Sequence, residues 1–180
     1  MPVQVIAVVG PSGVGKDTVM HALAQTLPDT HLVRRVITRP AEAGGEEFEG
    51  VTRAEFEQRV VAGTFCLWWE AHGLAYGIPV AEIESRPDGA RVLMNLSRAV
   101  LDTARGCFDD FRILSLTASP ETLARRLGGR GRETADDIDK RLARAGYVRP
   151  AGEDVIEICN DGPLTDTVRA ITAALHPERE

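Results

Sequence analysis

The sequence predicts an α/β protein in which a parallel five-stranded sheet carries helices on both faces. Strand-like apolar runs alternate with helical segments through most of the chain, and parallel strands joined by helices produce this arrangement. The first apolar run also breaks into a glycine-rich turn that leads directly into a helix. The chain has 180 residues, of which 43% are hydrophobic and 27% charged, so it fits one soluble domain with a substantial core.

The first elements are a strand, a turn and a helix arranged around a phosphate-binding pattern. A buried strand is predicted over Val3–Val9, and a helix follows from about Lys16 to Leu27. The turn reads G-P-S-G-V-G-K, which matches G-x-x-x-x-G-K. Glycines let successive N–H groups face a polyphosphate, and the helix N-terminus adds its positive dipole end. This predicts the P-loop NTPase fold with bound ATP. The ATP-binding candidates are Gly10, Pro11, Ser12, Gly13, Val14, Gly15, Lys16, Asp17 and Thr18.

Asp17 departs from the common form of this pattern. The residue after the lysine is usually Ser or Thr, whose hydroxyl binds Mg²⁺. A carboxylate beside a triphosphate is repulsive unless a metal ion lies between them. We therefore predict that Asp17 is a Mg²⁺ ligand.

Further strands are expected in runs that are rich in apolar and β-branched residues. They are predicted at His31–Thr38, Thr64–Ala71, Ala90–Leu96, Phe111–Thr117 and Asp154–Cys159. Trp68 and Trp69 alternate on one of these strands, so one of them should face the core. Residues 40–50 are polar and include four glutamates, and they are predicted to form a loop.

Helices are expected where a capping residue precedes apolar residues at helical spacing. Thr52 and Glu55 have the spacing of a capping box, which opens a helix to about Ala62. Ser119 is a predicted N-cap that places Pro120 at the first helical position. The other predicted helices are Val80–Ser85, the segment after Ser97, a segment from Thr134, and Leu164–Leu175.

The elements predict a single domain over residues 1–180 with two excursions from the alternating core. The core comprises residues 1–34, 89–127 and 146–180. A small α+β insertion at 35–88 would bind the substrate that accepts a phosphoryl group from the nucleotide. A glycine- and arginine-rich stretch opens a predicted lid at 128–145.

Charge and composition argue against several classes of protein. The net charge of −6 disfavours a nucleic-acid-binding surface. No apolar run approaches the length of a membrane span and no leader is apparent, so no membrane partner and a cytoplasmic location are expected. The cysteines Cys66, Cys107 and Cys159 are interpreted as reduced core thiols. Arginines are clustered at 34–39, 125–132 and 141–149, and such clusters on an acidic protein suit a small, multiply anionic ligand. Arg53 and Arg125 are interpreted as solvated surface charges.

The motifs together resemble those of guanylate kinases. After the G-P-S-G-V-G-K loop come T-R-P at 38–40, G-E at 45–46, Y-G at 76–77, R-G-R at 130–132 and N-D at 160–161. Two departures stand out. Guanylate kinases usually carry a second arginine after T-R-x-P and a tyrosine after G-E, whereas residues 41–51 contain Glu42 and neither of these. The strand that usually ends in D-I-D ends here in Asn95-Leu96-Ser97.

A narrower resemblance is to the ribose 1,5-bisphosphate phosphokinases, guanylate-kinase-like enzymes of phosphonate catabolism. It rests on G-K-D in the loop, R-R-V-I-T-R-P-A at 34–41, A-H-G-L at 71–74 and V-L-M-N-L-S-R at 92–98. The resemblance implies that ATP with Mg²⁺ phosphorylates the 1-phosphate of ribose 1,5-bisphosphate. The products would be 5-phosphoribosyl 1-diphosphate and ADP.

The resemblance and the residue types together give the candidate site residues. The catalytic candidates are Lys16, Arg130, Arg141 and Arg144, with Arg132 a weaker one, and Arg130 would also contact the nucleotide. The substrate-binding candidates are Arg35, Arg39, Glu70, His72, Tyr76 and Asn95. Asn160 could border the adenine or serve a turn. Structural roles stay open for Glu70, His72 and Tyr76.

Three other functions remain open at this point. A GMP kinase is disfavoured by Glu42, the missing tyrosine and Asn95. A non-catalytic guanylate-kinase-like binding module is disfavoured by the intact Lys16. A kinase for another small phosphorylated metabolite would differ only in pocket shape. The sequence leaves the oligomeric state open, with a homodimer among the options.

Overall fold

A computed structural model describes residues 2–43, 46–128, 136–137, 140 and 148–176. Most of the predicted lid therefore lies outside the described residues. So do four of the arginines named above: Arg130, Arg132, Arg141 and Arg144.

The described residues form strands and helices that alternate along much of the chain. The strands are β1 (Gln4–Val9), β2 (Thr30–Leu32), β3 (Arg35–Ile37), β4 (Phe48–Gly50), β5 (Phe65–Ala71), β6 (Leu74–Pro79), β7 (Arg91–Asn95), β8 (Phe111–Thr117) and β9 (Val155–Cys159). The helices are α1 (Lys16–Thr26), α2 (Arg53–Val61), α3 (Ala81–Glu84), α4 (Leu101–Cys107), α5 (Pro120–Gly128) and α6 (Leu164–Leu175). Short 3₁₀ turns lie at Ala41–Ala43 and Arg98–Val100.

The strands belong to two sheets. A five-stranded sheet has the order β2-β7-β1-β8-β9, with β2 parallel to β7 and β8 parallel to β9. A four-stranded sheet has the order β4-β3-β6-β5 and is mixed, since β3 is parallel to β4 and antiparallel to β6. The predicted α/β fold with a five-stranded parallel sheet is confirmed.

The prediction of one strand over residues 31–38 was wrong. The segment forms two strands, β2 and β3, which belong to different sheets. Val33 still donates its backbone N–H to the Leu93 carbonyl, at 2.9 Å, but the exposed Arg34 follows and β3 pairs elsewhere. The apolar residues on either side of Arg34 and Arg35 do not show that the chain leaves one sheet for another, because the change depends on distant pairing partners.

The prediction of a loop over residues 40–50 was wrong at its end. Phe48–Gly50 forms β4, which pairs residue by residue with Arg35–Ile37. The glutamates around it gave the segment a loop-like composition. Pairing with the buried strand β3 overrides that local preference.

The chain divides into two compact units. Unit 1 comprises Met1–Ile6 and Asp29–Phe111, and unit 2 comprises Ala7–Pro28 and Arg112–Glu180. The predicted acceptor insertion lies in unit 1 and the phosphate-loop pattern in unit 2. The domain boundaries given above stay a prediction.

The four-stranded sheet of unit 1 is held by a small aromatic core. Phe56 of α2 packs on Val36 and Ala75, and its ring stacks on Phe65 with centroids 4.9 Å apart. The capping box that starts α2 is confirmed. The backbone N–H of Thr52 donates to Glu55 Oε2 at 2.7 Å, and the Glu55 N–H donates to the Thr52 hydroxyl at 3.2 Å. The Thr52 N–H and the Thr52 hydroxyl both donate to the Glu55 carboxylate, and these two bonds lower the pKa of Glu55.

Other side chains test individual sequence predictions. Trp69 is buried and Trp68 is about half exposed, as the alternation predicts. The Ser119 cap is also confirmed, since its hydroxyl accepts the Thr122 N–H at 3.2 Å. No helix among the described residues is long and apolar enough to span a bilayer.

The prediction that the cysteines are core thiols was wrong for two of them. Cys107 and Cys159 are exposed, while Cys66 is partly buried, and all three are free thiols. The Cys66 thiol donates to the Ile78 carbonyl at 3.4 Å, and burial raises its pKa to about 11. Cys159 ends β9, which lies at the edge of the five-stranded sheet, and Cys107 ends α4, so apolar neighbours in the sequence do not bury either thiol.

We expect Gly77→Ala to destabilise unit 1. A Cβ at Gly77 would lie 2.6 Å from Cε1 and 2.7 Å from Cδ1 of Phe65, and that ring is already stacked on Phe56. Overpacking of this kind costs about 1–3 kcal/mol, which denaturant unfolding would measure. Gly106→Ala is the matched control, because a Cβ there meets nothing within 4 Å. It should leave stability unchanged or raise it by up to about 1 kcal/mol. Equal unfolding free energies for the two variants would contradict this packing.

Candidate active site

The phosphate-loop pattern of unit 2 has the backbone conformation that the sequence predicts. Gly13 and Gly15 adopt left-handed φ values of 84° and 96°, which residues with a side chain rarely adopt. Space excludes a side chain as well. A Cβ at Gly13 would lie 2.9 Å from Leu127 Cγ, and one at Gly15 would lie 2.9 Å from Asn160 Nδ2. Both glycines are therefore required by conformation and by close packing.

The loop ends at the start of α1, with Gly15 as the N-cap. A glycine cap has no side chain that could accept a hydrogen bond from the first turn of the helix. The Lys16 ammonium donates to the Gly10 carbonyl at 2.9 Å and so lies across the loop. A glycine-rich turn, a helix N-terminus and an ammonium group in one place fit a polyphosphate.

The first turn of α1 also carries the predicted metal ligand. Asp17 and Thr18 are both exposed, and Ser12 of the loop is exposed too. One carboxylate and two hydroxyls are oxygen donors, which Mg²⁺ prefers, and nucleotide-bound Mg²⁺ commonly takes few protein ligands. The residue types therefore fit a Mg²⁺ ion shared with nucleotide phosphates. Within the described ranges, no group of three or more His, Cys, Asp or Glu side chains could hold a metal ion.

A chain of hydrogen bonds supports the loop from behind at the Val14 carbonyl. Asn160 Nδ2 donates to the Val14 oxygen at 2.8 Å, and the Thr167 hydroxyl donates to Asn160 Oδ1 at 2.7 Å. Arg126 donates from Nη1 to the same Val14 oxygen at 3.0 Å and from Nη2 to the Asn160 carbonyl at 2.6 Å. Asn160, at 5% exposure, is nearly fully buried. These contacts fix the peptide that precedes Gly15.

This geometry changes what the sequence indicated for Asn160. We expected Asn160 to border the adenine or to serve a turn. In the structure its side chain donates to the Val14 carbonyl and accepts from the Thr167 hydroxyl. The supporting residues Arg126 and Thr167 were missed by sequence reasoning. The basic cluster before the predicted lid contained a signal for Arg126, but nothing in the sequence marked the threonine on α6.

In unit 1, Arg35 is nearly buried and its guanidinium is occupied. Nε donates to Glu46 Oε2 at 3.1 Å, Nη2 pairs with the other Glu46 oxygen, and Nη1 donates to the Asn95 carbonyl at 2.9 Å. The guanidinium also lies over the Tyr76 ring, 5.0 Å from its centroid. Trp69 stacks on that ring at 5.3 Å. The structure therefore brings together three predicted residues, Arg35, Tyr76 and Asn95, around a buried ion pair.

Arg39 lies in a different environment. Its guanidinium carbon is 4.3 Å from the centroid of the Phe48 ring. It lines a cavity of about 590 Å³ together with Thr38, Thr52, Arg53 and Gly73, among others. This volume falls within the usual range of small-molecule sites. Arg39 is thus the predicted acceptor-binding residue that faces a cavity.

Glu70 and His72 lie at the β5–β6 hairpin. Glu70 is about half exposed and pairs with Arg53, the first residue of α2. His72 has a left-handed φ of 53° in the turn that joins the two strands. A role for either residue in binding the substrate stays a prediction. Arg53 was interpreted as a solvated surface charge, and its place at the cavity was not foreseen.

Comparisons with known proteins agree with this geometry. The profile of the guanylate kinase family matches residues 3–161. Ribose 1,5-bisphosphate phosphokinase PhnN of Ruegeria sp. (strain TM1040) is 53% identical over 97% of this chain and 93% of its own length. The protein of the same name from Agrobacterium fabrum is 42% identical over 94% of both chains.

A solved structure extends the comparison to the fold alone. The guanylate kinase of Anaplasma phagocytophilum superposes with a TM-score of 0.65 at 22% identity. The match covers 98% of this chain and 86% of that one. At this identity the likeness supports the α/β architecture described above.

We expect Thr167→Val to raise the KM for ATP. The change removes the hydroxyl that orients Asn160 and keeps the shape of the side chain, so the Val14 carbonyl loses a well-placed donor. A neutral hydrogen bond contributes about 0.5–1.5 kcal/mol, which corresponds to an increase of roughly 2- to 13-fold. Steady-state kinetics with ATP as the varied substrate would measure it.

The matched control is Thr172→Val on the same helix. Its hydroxyl donates to the Val168 carbonyl within α6, at 2.8 Å. The control should keep the KM of the unchanged protein, and Thr167→Ser should restore it. Identical KM values for Thr167→Val and Thr172→Val would rule out support of the loop by this chain.

Proposed function

The chain belongs to the guanylate kinase family and to its ribose 1,5-bisphosphate phosphokinases, and from this we propose the reaction and the division of work among its residues. The reaction transfers the γ-phosphoryl group of ATP to the 1-phosphate of ribose 1,5-bisphosphate. The products are 5-phosphoribosyl 1-diphosphate and ADP. The proposed setting is phosphonate catabolism in the cytoplasm.

The observation that carries the choice of acceptor is full-length similarity. A curated phosphokinase for this sugar bisphosphate is 53% identical over 97% of the chain. The guanylate kinase structure has only 22% identity. The acceptor region supports the same choice, because residues 41–51 lack the second arginine and the tyrosine that guanylate kinases usually carry.

The chemistry asks mainly for positioning and charge neutralisation. The acceptor oxygen belongs to a phosphate that is already ionised at neutral pH, so no general base has to remove a proton. The loop amides and Lys16 hold the β- and γ-phosphates of ATP in place. Arg130, Arg141 and Arg144 would neutralise charge on the transferred group, since the planar guanidinium matches phosphate oxygens. When bound, Mg²⁺ would supply further charge neutralisation at the nucleotide phosphates.

Asp17 would hold the metal ion in this arrangement. The strand β7 ends in Asn95, where guanylate kinases usually have a carboxylate, and the Asn95 carbonyl is engaged by Arg35. We propose that the carboxylate that organises the metal has moved from the strand end to the first turn of α1. A single carboxylate then serves the ion, with the nucleotide phosphates supplying other ligands.

The acceptor contacts divide between the two arginines according to burial. Arg39 faces a cavity and is proposed to bind the 5-phosphate. Arg35 could touch the substrate only if Glu46 released it, and breaking a buried pair is costly. We therefore propose that Arg35 positions Tyr76 and Asn95, and that Tyr76 rather than Arg35 reaches the sugar phosphate. Glu70 and His72 are proposed to contact ribose hydroxyls at the hairpin.

The first test compares two acceptors in a coupled assay of ADP release. We expect kcat/KM for ribose 1,5-bisphosphate to exceed that for GMP by at least tenfold, which corresponds to about 1.4 kcal/mol of transition-state stabilisation. A higher kcat/KM for GMP would overturn the proposed reaction and would indicate guanylate kinase activity instead. Detection of 5-phosphoribosyl 1-diphosphate by mass spectrometry identifies the product directly.

The second test addresses the metal. Asp17→Ser removes the carboxylate and restores the common hydroxyl, so we expect the Mg²⁺ concentration for half-maximal activity to rise several-fold. Asp29→Ser is the control, because that residue lies after α1 and away from the loop sequence. An unchanged Mg²⁺ titration curve for Asp17→Ser would sink the assignment.

A further inference from the structure

The cavity beside Arg39 contains a second arginine that the proposed reaction has not used. Arg53 is the first residue of α2 and lines the same cavity of about 590 Å³. Among the described residues that line it, Arg39 and Arg53 are the cationic ones. Thr38 and Thr52 add hydroxyl groups to the lining. The lining also contains Glu55, whose carboxylate accepts hydrogen bonds from the N–H and the hydroxyl of Thr52 in the capping box. The two guanidinium groups and the Thr38 hydroxyl remain a suitable set for a phosphate dianion.

The two arginines are held in different ways. Arg39 lies over the Phe48 ring, with its guanidinium carbon 4.3 Å from the ring centroid. Arg53 is about half exposed and is paired with Glu57 at 3.0 Å and with Glu70. Exposed ion pairs of this kind are weak, because water and salt screen them. A phosphate dianion that enters the cavity can therefore replace Glu57 and Glu70 as the ion-pair partner of Arg53.

The substrate of the proposed reaction needs such a group. Ribose 1,5-bisphosphate carries a second phosphate that does not react, and its charge of nearly −2 exceeds what one arginine neutralises. On the basis of the proposed function, we infer that Arg53 is a specificity-determining residue that binds this non-reacting phosphate together with Arg39. When Arg53 binds the phosphate, it releases Glu70, and the Glu70 carboxylate then accepts hydrogen bonds from the ribose hydroxyls.

The same helix provides a matched control. Arg59 of α2 pairs with Glu49, with Nη1 at 3.1 Å and Nη2 at 2.5 Å from the two carboxylate oxygens. It is also partly exposed, and it is not among the residues that line the cavity. Arg53→Gln and Arg59→Gln therefore each remove one exposed cation and its carboxylate pair from α2. Only the first removes a cation from the cavity.

The kinetic test varies the acceptor at saturating ATP. We expect Arg53→Gln to raise the KM for ribose 1,5-bisphosphate at least tenfold, while the KM for ATP and the melting temperature stay unchanged. Arg53→Lys should fall between the two, because a lysine keeps the charge and loses the planar fork. Arg59→Gln should match the unchanged protein. A KM within twofold of the original in Arg53→Gln overturns the inference.

A truncated acceptor tests whether Arg53 acts through the phosphate. Ribose 1-phosphate keeps the reacting group and lacks the 5-phosphate. Its kcat/KM should be low in the unchanged protein and equal in Arg53→Gln, because the partner of the arginine is absent. An equally large loss on both acceptors would show that Arg53 acts on the fold or on the reacting end, and would overturn the inference.

The two proposals fail in different ways. If the unchanged protein does not turn over ribose 1,5-bisphosphate, the proposed reaction is wrong. If it does so while Arg53→Gln and Arg59→Gln behave alike, the reaction stands and the assignment of Arg53 is wrong.

Discussion

The Val14 carbonyl oxygen is the point on which the phosphate loop depends. It accepts hydrogen bonds from Asn160 at 2.8 Å and from Arg126 at 3.0 Å, so both of its lone pairs are used. With this oxygen fixed, the following peptide can reach the left-handed conformation of Gly15, which is the N-cap of α1. A nucleotide then meets donors that are already oriented, which lowers the ordering cost of binding.

The arginines of unit 1 show how burial separates support from binding. Arg35 and Glu46 form a nearly buried pair with a further bond to the Asn95 carbonyl, and breaking such a pair leaves an uncompensated charge. Arg53 and Arg59 form pairs in which the carboxylates are about half exposed, and those pairs are cheap to exchange. The difference assigns Arg35 to the framework and leaves Arg53 available to an anion.

Local patterns made much of the fold and of the nucleotide site predictable from the sequence. The glycine spacing, Lys16 and the caps of α2 and α5 are short-range signals, and the structure has them where they were expected. The rest depends on partners that are far apart in sequence. Asn160 and Val14 are 146 positions apart, so their hydrogen bond had no local signature. The same reason explains why residues 31–38 divide between two sheets and why the glutamate-rich Phe48–Gly50 is a strand.

An acidic protein that binds two highly charged substrates must keep its cations oriented without neutralising them permanently. Exposed glutamates serve this purpose around α2, because Glu57 and Glu70 hold Arg53 near the cavity at little cost in free energy. They also repel anions that cannot displace them, so a ligand with one weak negative charge gains little on entering. In the proposed site, a phosphate dianion would gain two charge-assisted contacts and would release Glu70 for the sugar. The net charge of −6 is therefore compatible with a selective site for a sugar bisphosphate, since specificity comes from the exchange of partners rather than from overall attraction.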